Sequence, residues 1–103
     1  MSRGQGKQHH DPVGETRLKL DGVDQQDLVG PGDANLRFLE HKFGGTLTLR
    51  KDQIIIKGPA TDLEVAAKVC VDLIDQVRQG QLVDEVSLGY LWSQHSGVGE
   101  TAA

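Results

Sequence analysis

Residues 28–77 read LVGPGDANLRFLEHKFGGTLTLRKDQIIIKGPATDLEVAAKVCVDLIDQV, and the period of the apolar residues changes along them in an order that decides the fold. Leu36, Leu39 and Phe43 fall at i, i+3 and i+7, which makes one apolar stripe on a helix. Gly30-Pro31-Gly32 breaks the chain before that helix, Asp33 stands where an N-cap belongs, and Gly44-Gly45 ends it. Thr46 to Arg50 then alternates with period two, placing Leu47 and Leu49 on the inner face of a strand. Gln53 to Lys57 is its hairpin partner, with Lys51-Asp52 near the turn, and Gly58-Pro59 terminates it. Thr61-Asp62-Leu63-Glu64 has the spacing of a capping box with Thr61 as N-cap. Leu63, Ala66, Ala67, Cys70, Leu73, Ile74 and Val77 keep helical spacing from there as far as Gly80.

Outward from this stretch, Thr16 to Leu20 alternates and puts Leu18 and Leu20 on one face of a further short strand. The acidic run Asp21 to Val29 predicts a short helix carrying Val23 and Leu28 inward. Leu82 to His95 predicts one more short helix, with Val86 and Leu91 inward. The expected architecture is α+β, a βααββα order with a three-stranded sheet, helices packed on one face and a short C-terminal helix added. Residues 16–95 form the domain. Residues 1–15 and 96–103 carry almost no apolar anchors and are expected to be disordered ends.

The chain has 103 residues and a formal net charge of −4. That length allows one domain, and the acidic balance excludes a broadly basic nucleic-acid-coating protein, so any nucleic-acid contact must be local. Ile54-Ile55-Ile56 is the longest strongly apolar run, far short of the ~20 residues of a membrane helix, and the start of the chain lacks the apolar core of a secretory leader. The single cysteine cannot form an internal disulfide, which fits a reducing cytoplasm.

The order of elements, with a Gly-rich break between the first two helices, resembles a type I KH domain. In that family a G-x-x-G turn clamps the backbone of about four unpaired nucleotides. Here the turn is Gly30-Pro31-Gly32-Asp33, with aspartate in place of the second glycine. That variant, followed by Asn35-Leu36 and by Ile56-Lys57-Gly58 closing the hairpin, is similar to the N-terminal domain of PhoH-like ATPases over roughly Thr16 to Trp92. The resemblance implies a non-catalytic module for single-stranded RNA, with a P-loop ATPase domain as its partner in the parent protein. This chain contains no G-x-x-x-x-G-K-[ST] and is not expected to hydrolyse ATP.

On this resemblance Gly30, Pro31 and Gly32 form the backbone-approach turn, Asn35 and Arg37 line the groove, and Arg50 and Lys51 make variable-loop contacts. The turn's other reading is a plain tight turn in which Asp33 only caps the helix. Arg37, His41, Arg50, Lys51 and Lys57 form either a modest basic rim or a solvated face. From Asp33 to Gln79, seven Lys and Arg balance seven Asp and Glu, so a phosphate contact there is weak. A second function stays open: a docking domain for another protein, favoured by Asp33 and by the Asp21/Asp24/Asp27 run. Cys70 on the apolar stripe reads as an inert buried thiol. Tyr90 and Trp92 either stack on a base or pack the last helix onto the body or onto a missing domain. His9-His10 lack further ligands, so no metal or other cofactor is expected.

Overall fold

A computed structural model describes residues 13–96 of the chain. In order these form β1 (Val13–Lys19), α1 (Gln25–Val29), a single 3-10 turn (Pro31–Asp33), α2 (Ala34–Phe43), β2 (Thr46–Arg50), β3 (Gln53–Pro59), α3 (Ala60–Arg78) and α4 (Glu85–Ser96). The sheet is antiparallel throughout in the order β1-β3-β2. This is the expected α+β, βααββα arrangement with an added C-terminal helix. The expected disorder of the ends and the His9-His10 pair lie outside the described residues, except that β1 starts at Val13 rather than Thr16 and α4 runs on to Ser96. Its first residues pair with Pro59, Gly58 and Lys57 at the far end of β3.

The isoleucine run makes β3 the central strand. Ile54 and Ile56 point into the core at 1% and 0% exposure, while Ile55 between them faces the other way and is half-buried. Leu47 of β2 and Leu20 just beyond β1 complete the sheet's inner side. Over it lie Leu36, Leu39 and Phe43 of α2 and Ala66, Val69, Cys70, Leu73, Ile74 and Val77 of α3, with Leu88 and Leu91 of α4 closing the outside. Burying a side chain of this size contributes about 1.5–3 kcal/mol, so the α3 stripe is a main source of stability. One close approach is available only to glycine. A Cβ on Gly58 would lie 2.7 Å from the Phe43 ring and 2.9 Å from the Gly45 Cα, so the hairpin and the end of α2 pack backbone against ring.

The structure corrects three local expectations. Helix α3 begins at Ala60, with Pro59 in the N-cap position, so Thr61 lies inside the first turn and not at the cap. Pro59 fixes φ near −56° and carries the chain from strand into helix without an intervening loop. Glu64 instead pairs with Lys68 one turn on, at 3.2 Å. Asp33 does occupy the N-cap position of α2, yet its backbone is left-handed (φ 61°, ψ 26°) and its side chain makes no cap bond. In α4 the inward residues are Leu88 and Leu91, whereas Val86 is 81% exposed.

A reciprocal capping box opens α4. Asp84 Oδ1 accepts the Ser87 N–H at 3.0 Å, and the Asp84 N–H donates to Ser87 Oγ at 3.1 Å. The hydrogen bonds from Ser87, the backbone one first and the side-chain one second, hold the Asp84 carboxyl below the usual carboxylate value. At the other end of α4, His95 Nε2 and Asp72 Oδ2 share a 2.6 Å hydrogen bond that ties the helix to α3.

Candidate nucleic-acid interface

The turn Gly30–Asp33 joins α1 to α2 through three positive φ angles: 78° at Gly30, 60° at Gly32 and 61° at Asp33. Only glycine adopts the first two without cost. Gly30 is also packed from beneath, since a Cβ there would lie 2.9 Å from the Asn35 amide. Pro31, Gly32 and Asp33 are exposed, so the turn presents backbone to solvent at the mouth of a groove.

That groove runs between α1, the turn and β2, which is an edge strand. It encloses about 430 Å³ over a floor of Val29, Leu36, Leu47 and Leu49, with Gln25, Gln26 and Asp33 at its rim. Gln25 is also held in place there, its Nε2 donating to the Lys51 carbonyl at 2.6 Å. Glu40 Oε2 accepts the Leu47 N–H at 2.9 Å, tying α2 to the edge strand. On the other side of the turn a cleft of about 500 Å³ is bordered by Asp27, Asp33, Leu82 and Val83. The turn is thus a ridge between two clefts, and the charged residues that line them, Asp27 and Asp33, are both acidic.

The remaining expected contacts separate. Asn35 does not line the groove: it is 2% exposed and is the buried polar residue among those described. Its Nδ2 donates to the Leu28 carbonyl at 3.2 Å and reaches the Val83 carbonyl at 3.5 Å, pinning the turn to α1 and to the segment before α4. Arg37 is exposed on α2 but is not among the residues lining either cleft. Arg50 and Lys51 lie on the opposite face of the sheet, where they line a recess with Arg17, Gln53 and Ile55. The reason is the strand period: Leu47 and Leu49 face inward, so Arg50 faces out. Gln25, Gln26 and the leucine floor were not foreseen; the amphipathic pattern marks them only as helix surface and strand interior.

Tyr90 is 65% exposed and does not pack on the body, whereas Trp92 does. Burial pushes the Cys70 thiol up to about 12, so it is a neutral core group. Among the described residues no three His, Cys, Asp or Glu side chains gather as a metal site, and no helix is long and apolar enough to cross a membrane. In comparisons with known proteins, neither a family model nor a curated protein matches this chain.

Proposed function

We propose that this domain binds unpaired nucleic acid, with single-stranded RNA first, in the groove between α1, the Gly30–Asp33 turn and β2. The observation that carries this reading is the composition of that groove: an apolar floor, two amides, one hydroxyl and the Asp33 carboxylate around it, and no lining cation. Unpaired bases lie against apolar surface and are read on their edges by amides, and Gln25 and Gln26 supply both donors and acceptors. Asp33 keeps the phosphate contribution small, so affinity comes from bases more than backbone. The resemblance adds the wider setting: a cytoplasmic, non-catalytic module working beside a P-loop ATPase domain.

A docking role is the second reading. It is favoured by Leu82, Val86 and Tyr90, which stay 94%, 81% and 65% exposed around α4. Direct titration separates the two. Fluorescence anisotropy with a labelled RNA oligomer of about eight residues, its DNA counterpart and a duplex of the same sequence should show the single strands preferred. Absence of binding at low salt, or a duplex bound as well as the single strand, contradicts the proposal.

A further inference from the structure

The side of the sheet turned away from the helices carries the positive charge that the groove lacks. Strand alternation and register set three rows across it: Lys19-Gln53-Arg50, Arg17-Ile55-Thr48 and Glu15-Lys57-Thr46. Arg17, Lys19, Arg50 and Lys57 therefore share a face with one carboxylate, Glu15, which pairs with Arg17 at 2.8 Å. In a chain of net charge −4 this is a marked local reversal. At its centre is a recess of about 330 Å³, floored by Ile55 and edged by Arg17, Arg50 and Lys51. Gln53 also lines it, and its buried Oε1 finds no hydrogen-bond partner among the described residues. A buried acceptor left unpaired costs about 1–3 kcal/mol, so a turn of the Gln53 side chain that brings Oε1 into the recess to meet a ligand's N–H donor is favoured.

We propose that this open face is a second binding surface, whose recess takes one nucleotide of a single-stranded nucleic acid with Arg17 and Arg50 at its phosphates. A nucleotide brings together what the recess asks for: a flat apolar body for Ile55, an N–H edge for Gln53 and an anion for the arginines. Guanidinium planes also stack on bases, which suits a face with no aromatic residue. An acidic peptide fits less well. The face of a sheet offers side chains only, and a peptide's own backbone groups pair at an edge. Anionic lipid would use the charge but leave the Gln53 acceptor unmatched. The surface does not depend on the groove, and the variants below separate the two.

The test is anisotropy of the full chain with labelled oligoadenylate and oligocytidylate of about ten residues, across a salt series. Circular dichroism establishes that each variant is folded. Arg17→Glu/Arg50→Glu should weaken binding about tenfold or more and flatten the log–log salt slope by about 1.4, the value for two lost phosphate contacts on a single strand. Gln53→Leu, close in volume, should weaken it about threefold. Gln26→Glu, at the groove rim, reports on the groove alone. If the arginine variant weakens binding and Gln26→Glu does not, the open face stands and the groove reading fails. If Gln26→Glu weakens binding and the folded arginine variant stays within about twofold of the parent with an unchanged slope, the proposal is overturned. Displacement of the oligonucleotide by polyglutamate or phosphatidylserine vesicles at equal charge overturns it as well, because the face then selects only for charge.

Discussion

The side-chain amide of Gln25 donates a 2.6 Å hydrogen bond to the carbonyl oxygen of Lys51, so the first residue of α1 is tied to the tip of the β2–β3 hairpin. Close by, the Leu20 N–H donates to the Asp52 carbonyl at 2.7 Å. The Gln25 bond fixes how far the short helix stands from the hairpin that carries the edge strand, and with it the width of the groove. Gln25→Ala should leave the fold intact and cost about 0.5–1.5 kcal/mol, the usual net worth of one hydrogen bond. It should also weaken oligonucleotide binding through a looser groove. Denaturant titration and anisotropy check the two halves separately.

Asn35 holds the other end of the same device. Asn35→Leu removes the donor to the Leu28 carbonyl and sets a branched side chain beneath Gly30, where the amide now packs. The expected loss is about 1–3 kcal/mol from the orphaned carbonyl alone. Amide exchange should quicken first at Gly30 and Asp33, whose N–H groups bond Gln26 and Gly30 within the turn.

Asp33→Gly should not destabilise the domain. Asp33 holds a left-handed backbone and makes no cap bond, and that conformation costs an L-residue about 1–2 kcal/mol, less for aspartate. Glycine relieves the strain, so stability should stay level or rise by up to about 1 kcal/mol. Removing a carboxylate from the groove rim should also tighten oligonucleotide binding by roughly 1 kcal/mol, as expected for one charge at a half-exposed site. A folded variant that binds no more tightly than the parent speaks against phosphates tracking this turn.

The phase of α4 gives a sharp contrast. Leu88 is fully buried and Val86 is 81% exposed. Leu88→Ala should cost about 2–5 kcal/mol, whereas Val86→Ala should stay within about 0.5 kcal/mol. Equal effects in urea titrations would mean that this helix is rotated from its described position. Ile74→Ala, at 5% exposure on α3, belongs with Leu88 in the costly class.

How much of this was legible follows from the range of each interaction. The strands and the α2 stripe were readable because TLTLR, QIIIK and Leu36/Leu39/Phe43 carry their own period. The outward side of Arg50 was implied by that same alternation, which puts it across the sheet from Leu47 and Leu49. Asn35 was not legible, since its burial depends partly on Val83, 48 residues further on. Thr61 does not hold the N-cap position because Pro59 allows β3 to pass directly into α3. The phase of α4 was obscured by apolar residues spread around EVSLGYLW, with Gly89 contributing none. The groove floor was visible only as core, because a concave surface is a property of elements brought together.

Two titrating groups set the expected pH behaviour. The Asp84 carboxyl lies below its ordinary 3.8 because it accepts hydrogen bonds from Ser87. A depressed carboxyl contributes stability at and above its ordinary value and loses it as pH falls through the lowered one. Asp84→Asn should therefore flatten the acid limb of the stability curve below about pH 4. Cys70 is raised to about 12 by burial, so folding keeps its proton and stability falls as pH climbs above about 9, where an unfolded thiol ionises. At neutral pH the native protein should resist thiol reagents until it is unfolded.

The central claim is that unpaired nucleic acid sits in the groove beside the Gly30–Asp33 turn, and amide-resolved NMR during titration with single-stranded RNA tests it most directly. The account predicts graded shifts at Gln25, Gln26, Val29, Gly32, Leu36 and Leu49, with any separate set confined to Arg17, Arg50, Gln53 and Ile55 on the far side of the sheet. A spectrum unchanged at saturating RNA, or one that moves only around Leu82, Val86 and Tyr90, would contradict it.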